Sequence, residues 1–351
     1  MRGEPIWLMI VGGSGTGKTE VAKSLLGLAP FTRVVSTIHS EGALLSATKS
    51  KEGGNSTGGL LREVGAHGMV ILKDFTSILS MPERGQRPLI LAALREIHDG
   101  NWARTVGVDG GRTESWKGHL GIVGCCTTSW DAAHTAIAAM GDRFTVVRIN
   151  SRDMDFRLAA GRQAMANLGL EKDKDWELRE ATRMVLDRTG PHQKPQPLPL
   201  ELYEVILQAC NIASTARTPT EHDYRGKTTY SHDPEAPTRL PKSLTQMIQG
   251  ALNIGLNLPT AFNMAMRCIR DSIPPIRLEC LQHMHRYQTT TISDIMQDIQ
   301  RPWHAIDKAV QGLYSAGIVV SNRFENKVSY SLRSNTDIRV LWTRAETLDG
   351  N

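Results

Sequence analysis

The sequence predicts an α/β fold in the first half of the chain, a helical domain behind it, and three helices with a β-hairpin at the end. Three observations lead to this prediction. Apolar segments alternate with helical segments up to about residue 150, the pattern of a parallel sheet covered by helices. Residues 151–273 have mostly helical spacing, interrupted by a Pro-rich segment at 190–200 and an irregular loop at 218–237. From residue 274, helical segments give way to two strands around a turn.

The predicted strands of the first half are short, apolar and bounded by turn-forming residues. They are residues 6–11, 33–37, 69–72, 119–126 and 144–149. Segments with helical spacing connect them, namely residues 20–28, 88–98 and 132–140. Because this β-α-β order requires crossover connections, we expect one parallel sheet with helices on its faces.

The rest of the chain is predicted to be mainly helical. Helical spacing covers residues 151–168, 173–187, 201–213 and 240–254 of the helical domain. The C-terminal unit has helices at 276–287, 292–299 and 302–316, followed by strands at 317–321 and 327–332, which is the order of a winged helix. The predicted domains are therefore 1–150, 151–273 and 274–335, with a tail at 336–351 for which the pattern predicts no structure.

Composition narrows the class of protein. The net charge is +5 and the sequence pI is about 9.0, a mild basic excess that favours anionic partners such as DNA. The five cysteines form no CxxC pair, so we expect reduced thiols in a cytoplasmic protein and no structural zinc site. No apolar run of about 18 residues is present, so we expect no membrane span.

The most specific motif is GGSGTGKT, which lies between the first strand and the first helix. Gly12, Gly17, Lys18 and Thr19 satisfy the P-loop pattern G-x-x-x-x-G-K-[ST]. In such a loop the backbone N–H groups surround the phosphates of ATP, the lysine reaches the β- and γ-phosphates, and the Thr hydroxyl binds Mg²⁺. The candidate nucleotide-binding residues are Gly12, Gly13, Ser14, Gly15, Thr16, Gly17, Lys18 and Thr19. The alternative is a Gly-rich turn without a nucleotide.

A P-loop ATPase also needs an acid at the end of a neighbouring strand. The strand at residues 69–72 is followed by Lys73 and Asp74, so Asp74 is predicted to position Mg²⁺, to polarise the attacking water, or to do both. Asp-Glu is the usual pair at this position, and Lys73 replaces one of the two acids. The alternative for Asp74 is a turn-capping role.

Together these segments resemble AAA+ ATPases. The stretch LREIHDGNWAR at residues 94–104, with residues 107–111 and 119–128 behind it, resembles the helix, hairpin and sensor strand of enhancer-binding activators and minichromosome-maintenance helicases. The segment GMVILKDF resembles their acidic strand. The resemblance covers roughly residues 6–255, and it implies a helical lid at 151–273 and self-association into a ring or filament.

The resemblance also implies further catalytic residues. Thr127 or Thr128 stands at the polar sensor position, and Arg143 matches the arginine finger that acts on a neighbouring subunit's ATP. Arg239 resembles the arginine of the lid, with Arg217 as its rival. The alternatives are a surface charge for Arg143, and helix capping or solvation for Arg239.

The C-terminal unit has the amphipathic pattern of a DNA-reading helix. Trp303, Ile306, Val310 and Leu313 are predicted to face the core, with Gln311 and three candidate DNA-binding residues on the opposite side. The candidate DNA-binding residues are Arg301, His304 and Lys308 on the helix side and Arg323 and Lys327 on the hairpin. The alternative is that this winged helix contacts a protein.

We therefore expect an oligomeric ATPase that acts on DNA, in replication or mobilisation of a phage-like or integrative element, as a helicase or loader. Two alternatives remain. One is an ATP-gated DNA-binding transcriptional regulator, and the other is an ATPase subunit of a defence or remodelling complex that uses the winged helix to hold a protein.

Overall fold

The computed structural model describes residues 4–28, 32–47, 58–107, 111–138, 140–141, 143–187, 197–224, 228–325 and 327–347. Most of the predicted Pro-rich segment and most of residues 107–111 lie outside these residues. The chain folds as two compact units, Met1–Pro191 and His192–Asn351. The division falls inside the predicted helical domain, so the helices of that domain are shared between the two units.

The first unit is an α/β structure with one five-stranded parallel sheet, which confirms the predicted fold class at this level. A separate antiparallel hairpin is formed by two further strands. The strands are β1 (Trp7–Val11), β2 (Thr32–Val35), β3 (His67–Leu72), β4 (Asn101–Val106), β5 (Arg112–Lys117), β6 (His119–Cys126) and β7 (Phe144–Arg148). The sheet order is β2-β3-β6-β1-β7, so β6 lies between β1 and β3.

Nine described helices accompany these strands in the first unit. They are α1 (Lys18–Lys23), α2 (Glu41–Leu44), α3 (Leu60–Val64), α4 (Thr76–Leu79), α5 (Gln86–His98), α6 (Ser129–Ala132), α7 (His134–Ala138), α8 (Met154–Ala166) and α9 (Glu171–Asp187). The single helix predicted at 132–140 is wrong, because Ala133 leaves the helical conformation (φ −90°, ψ 21°) and separates α6 from α7.

The core of the first unit lies on both faces of the sheet, which is why its strands read as continuous apolar runs. Trp7 is fully buried at the start of β1 and donates a hydrogen bond from its indole nitrogen to the carbonyl of Leu120 on β6 (2.6 Å). Its ring packs on Phe144 with a centroid distance of 5.1 Å. Phe75, also fully buried, packs on Phe144 in turn, so the core anchors the segment that follows β3.

The second unit combines helices with two small antiparallel sheets. Its helices are α10 (Leu200–Ala216), α11 (Arg239–Asn253), α12 (Leu258–Ser272), α13 (Pro275–Tyr287), α14 (Ile292–Ile299) and α15 (Trp303–Ser315). Its strands are β8 (Thr220–His222), β9 (Thr228–Ser231), β10 (Thr289–Thr290), β11 (Val319–Phe324) and β12 (Lys327–Leu332). β8 pairs with β9, and the other three form a sheet in the order β10-β12-β11.

Two parts of the second unit differ from the predictions, and a third adds structure to the tail. Helix α12 was not predicted; Asn257 caps it by accepting a hydrogen bond from the Thr260 amide (2.9 Å). The segment at 218–237, predicted to be irregular, contains the β8-β9 hairpin. In the tail, for which no structure was predicted either way, a 3₁₀ helix (Ile338–Trp342) buries Ile338 and Leu341 completely. Within the described residues, no helix has the length and apolar character needed to cross a membrane.

Candidate functional site

Three neighbouring strands of the first unit end at one cavity of about 440 Å³. β1 leads into the glycine-rich loop, β3 is followed by Lys73 and Asp74, and β6 ends at Cys126 before Thr127. Because the strands are parallel, their carboxyl ends lie at the same edge of the sheet. The cavity is lined by residues 14–20, 73, 74, 76 and 125–127.

The loop that follows β1 is held by backbone hydrogen bonds at its start and is open in its middle. The Gly12 amide donates to the Cys126 carbonyl (3.1 Å), and the Gly13 amide donates to the Ser151 hydroxyl (3.1 Å). Gly15 and Gly17 have φ values of 75° and 77°, which side chains disfavour, and a Cβ atom added at either would meet no atom within 4 Å. These two glycines are therefore required by the backbone turn.

Lys18 lies against this loop as a buried cation. Its side chain is 9% exposed and donates to the Gly12 carbonyl (3.0 Å), the Thr16 hydroxyl (3.2 Å) and the Gly13 carbonyl. Burial lowers the pKa of Lys18, and the nearby Cys125 and Cys126 thiols oppose this shift. Since burial disfavours an isolated ammonium, an anion bound at the cavity would be stabilised by this charge.

The segment after β3 is fixed to both neighbouring strands. The Lys73 amide donates to Val35 (2.9 Å), the Asp74 amide to Ser36 (3.2 Å), and the Phe75 amide to the Cys125 carbonyl (2.8 Å). Asp74 is exposed and Lys73 is half-buried, and both line the cavity. The backbone therefore holds these two opposite charges at a defined position.

A cluster of hydroxyl groups fixes the residue that follows β6. The Thr127 amide donates to the Thr76 hydroxyl (3.0 Å), and this hydroxyl donates to the Thr127 side-chain oxygen (3.2 Å). The Thr127 hydroxyl also lies 2.8 Å from the Ser129 hydroxyl. Thr127 lines the cavity, whereas Thr128 is exposed at the start of α6 and does not line it. Of the two candidate sensor residues, the geometry favours Thr127.

The residues at the cavity fit a Mg²⁺-bound nucleoside triphosphate. Among the residues that the structure describes, no group of three or more acidic, His or Cys side chains could hold a metal ion alone. Mg²⁺ in nucleotide sites typically needs only one or two protein ligands, because substrate phosphates and water supply the others. Thr19 and Asp74 both line the cavity and supply oxygen donors of the required kind. A hydrogen bond links the Thr19 side chain to the Cys125 thiol, whose pKa is raised by burial.

Several residues of the site were not predicted from the sequence pattern. Thr76, Ser129 and Ser151 position the loop and Thr127, and the two thiols of Cys125 and Cys126 line the cavity. Their positions in the sequence could have indicated Cys125, Cys126 and Thr76, because these residues lie at or just after the ends of predicted strands. Ligand-binding sites form at the carboxyl edge of a parallel sheet. Ser151 carried no comparable signal, because its partner Gly13 is 138 residues away.

Arg143 is not located as the predicted arginine finger requires. Its side chain is buried, donating to the Met140 carbonyl (2.6 Å) and to the Asp99 carboxylate (2.7 Å). It precedes β7 and therefore lies at the amino-terminal edge of the sheet, opposite to the cavity. A finger must project from its own subunit to reach a neighbour's phosphates. The geometry corrects both earlier interpretations: Arg143 is neither an exposed finger nor a surface charge, but a buried guanidinium paired with the partly exposed Asp99.

The two candidate lid arginines belong to the second unit. Arg239 is the first residue of α11 and lies 3.4 Å from Glu235 in a partly exposed ion pair. Arg217 follows α10, and burial lowers its pKa to about 10 although the Glu235 charge opposes the shift. Its buried setting makes Arg217 a poorer candidate than Arg239 for contacting a ligand.

In the second unit the structure separates the candidate DNA-binding residues. Arg301 donates from its Nε atom to Glu279 (2.8 Å), with a second bond from Nη2, and its side chain is only 14% exposed. The prediction of Arg301 as a DNA contact is therefore corrected, because its guanidinium group is already hydrogen-bonded to Glu279. His304, Lys308, Arg323 and Lys327 are exposed. Arg323 and Lys327 belong to adjacent cross-strand pairs of the β11-β12 hairpin. Because the side chains of adjacent pairs point to opposite faces, these two cations lie on different faces of the hairpin.

The predicted core face of α15 is confirmed at three of its four positions. Ile306, Val310 and Leu313 are fully buried. Trp303 is 44% exposed, so its assignment to the core was wrong. It is the first residue of the helix, and its ring packs edge-on against that of His304 at 5.2 Å. Gln311 donates to the Tyr330 hydroxyl (3.1 Å) and links the helix to β12.

Neither known protein families nor curated proteins provide a match to this chain.

Proposed function

We propose that the first unit binds Mg²⁺-ATP and hydrolyses it. The observation that carries this proposal is that the glycine-rich loop, Asp74 and Thr127 line one cavity. These residues come from three different strands, so their convergence is a property of the fold. Each has a chemistry that phosphoryl transfer to water requires: a phosphate cradle, an acid and a polar side chain near the attacking water.

In this proposal the chain's own residues have distinct roles. The amides of residues 14–19 and the Lys18 ammonium bind the phosphates, while Thr19 and Asp74 hold the metal ion. A bound magnesium ion would supply positive charge that offsets the charge of the phosphate oxygens. Thr127 orients the water, and Asp74 accepts its proton. The water oxygen forms a bond to the γ-phosphorus, and the bond to the bridging oxygen breaks, so that ADP leaves with the electron pair.

The AAA+ resemblance supports the same proposal. In the sheet, β6 with Thr127 at its end separates the loop-bearing strand β1 from the acid-bearing strand β3. The water-orienting and acidic residues thus lie on neighbouring strands. The buried Arg143 does not support a shared site between subunits, so self-association into a ring or filament rests on the resemblance.

We further propose DNA as the partner of the C-terminal part, which we interpret as a winged helix. The supporting observation is that three helices, α13 to α15, accompany the antiparallel sheet β10-β12-β11, with Lys308, Arg323 and Lys327 exposed. Exposed cations on a helix and on a hairpin suit contacts to phosphates. An ATPase acting on DNA in replication or mobilisation is the function we favour, over an ATP-gated regulator or a subunit that holds a protein.

The test is a measurement of phosphate release from ATP by the full chain, alone and with single-stranded or double-stranded DNA. Lys18→Ala is the inactive control. Turnover stimulated by DNA supports the proposed function. Sequence-selective DNA binding with negligible turnover supports the regulator, and turnover with no response to DNA and no DNA binding supports the protein-holding subunit.

A further inference from the structure

The acidic strand end carries a lysine beside its acid. Lys73 and Asp74 are consecutive residues, and both line the cavity. The Lys73 side chain is half-buried, and among the described residues no hydrogen bond or ion pair engages its ammonium group. The ammonium is therefore available to an anion in the cavity.

The backbone at Lys73 is held in place by hydrogen bonds. The Lys73 amide donates a hydrogen bond to the carbonyl of Val35 on β2, and the Asp74 amide donates to that of Ser36. The Phe75 amide donates to the carbonyl of Cys125 on β6. Phe75 itself is fully buried in the core. The backbone therefore holds the base of this side chain at the cavity, and its flexible four-carbon stem lets the ammonium reach the oxygens of a bound phosphate.

Lys73 approaches the cavity from a different strand than Lys18 does. Lys18 follows the loop after β1, Lys73 follows β3, and β6 lies between these strands. Two strand spacings separate β1 from β3 by about 10 Å. Lys18 and Lys73 line the described cavity, and they can therefore contact different parts of a triphosphate. The carboxylates that line this cavity are those of Glu20 and Asp74.

We infer that Lys73 contacts the γ-phosphoryl group and stabilises the charge that develops on its oxygens during transfer to water. This inference rests on the proposed ATPase function and adds a catalytic residue to it. In this role Lys73 supplies, from within the subunit, a cation of the kind that Arg143 does not offer because Asp99 engages it.

The experiment compares Lys73→Met, which keeps length and loses charge, with Lys73→Arg, which keeps charge. Lys172→Met is the matched control, because Lys172 is exposed on α9 and does not line the cavity. Affinities for Mg²⁺-ATP and Mg²⁺-ADP, the turnover number and the unfolding midpoint are measured for each full-length variant.

For Lys73→Met we expect ADP affinity to stay within about threefold of wild type and ATP affinity to fall about tenfold, since only ATP has the γ-phosphate. Turnover should fall about 100-fold or more. Lys73→Arg should recover at least about tenfold of that loss, and Lys172→Met should match wild type. A merely structural role would lower both affinities and the unfolding midpoint together.

Two further results would overturn the inference. One is a Lys73→Met variant with wild-type turnover and an unchanged preference for ATP over ADP. The other is turnover that rises in this variant, which would make Lys73 an inhibitory partner of Asp74. A wild-type chain that does not bind Mg²⁺-ATP would instead refute the proposed function itself, so the two failures are distinguishable.

Discussion

The Arg143 guanidinium lies 2.7 Å from the Asp99 carboxylate and joins the end of α5 to the start of β7. His98 borders this pair, with its ring edge-on to Trp7 at a centroid distance of 5.0 Å and its Nδ1 atom 3.2 Å from Asp99. The cluster lies at the amino-terminal edge of the sheet, whereas the cavity lies at the carboxyl edge. We therefore expect changes in this cluster to affect the stability of the unit and to leave the cavity intact.

Replacing Arg143 by Ala should lower stability rather than disable the site. The change removes a buried charge from its partner, and because Asp99 is partly exposed we expect a loss of about 2 kcal/mol in the free energy of unfolding. Urea denaturation measures this loss, and Asp99→Asn should show a similar one. ATP affinity and turnover per folded molecule should stay near wild type. A stable Arg143→Ala protein that binds ATP and fails to hydrolyse it would restore the finger role.

His98 should make the stability of the first unit depend on pH. Burial lowers its pKa below 6.5, with the Arg143 charge acting in the same direction and Asp99 opposing it. Between the folded pKa and about 6.5 the unfolded chain binds the proton and the folded chain does not. Stability should therefore fall as pH drops from 7 through this window, by at most about 1.4 kcal/mol per pH unit.

Urea denaturation at several pH values checks this dependence, with His98→Gln as the comparison. The variant should lose the slope between pH 7 and the folded pKa of His98, whatever its absolute stability. Asp99 acts in a lower window: burial raises its pKa, but hydrogen bonds from Arg143 and His98 outweigh burial and lower it. Its contribution should disappear only as pH falls below 3.8. An unchanged slope in His98→Gln would assign the pH dependence to another group.

Much of the first unit was predictable because local patterns specify it. The bounds of β6 were predicted without error, since a run of apolar residues bounded by His119 and a polar threonine pair defines a buried strand. The convergence of the loop, Asp74 and Thr127 follows from parallel strands ending at one edge. The Arg143 and Ser151 contacts were not predictable, because their partners lie 44 and 138 residues away and no local pattern encodes such pairs.

Other misses had a signal in the sequence. The missed helix α12 begins with the capping residue Asn257, has Pro259 in its first turn, and repeats apolar residues at helical spacing. The error at Trp303 had a different cause. Helical spacing predicts which face of the helix a residue occupies. Whether that face is buried at the first turn depends on how far the neighbouring core extends along the helix.

Nucleotide binding should depend on Lys18. Lys18→Ala removes the cation that lies at the loop, so most Mg²⁺-ATP affinity or turnover should be lost. Isothermal titration with Mg²⁺-ATP and a phosphate-release assay measure the two quantities. Lys172→Ala is the matched control, because Lys172 is exposed on α9 and does not line the cavity. Equal affinity and turnover in both variants would refute the ATP site.

Asp74→Asn should separate binding from hydrolysis. The amide keeps the shape of the side chain and loses its charge, so it still fits beside Lys73 but accepts a proton poorly. We expect Mg²⁺-ATP to bind and turnover to fall below about one hundredth of wild type. Equilibrium binding and steady-state phosphate release measure the two effects. Turnover near the wild-type rate would mean that the catalytic carboxylate is a different residue, and Glu20 would be the next to test because it also lines the cavity.

Two of the exposed cations of the C-terminal part, Lys308 and Arg323, should contribute to the salt dependence of DNA binding. Lys308 lies on α15 and Arg323 on β11, and both are exposed, whereas Arg301 is held by Glu279. Each lost phosphate contact lowers the slope of log affinity against log salt concentration by about 0.9 on duplex DNA. The double variant Lys308→Ala, Arg323→Ala should therefore lower the slope by about 1.8. Fluorescence anisotropy with a labelled duplex at several salt concentrations measures the slope.

Arg301→Ala is the matched control, because it removes the same kind of charge from the same part of the chain. Its guanidinium already bonds Glu279, so the variant should lose stability and leave the salt slope unchanged. ATP turnover without DNA should survive in both variants, since the loop, Asp74 and Thr127 all belong to the first unit. If the double variant binds DNA with the wild-type slope, then the phosphate contacts lie elsewhere, and the C-terminal part is better interpreted as a protein-binding module.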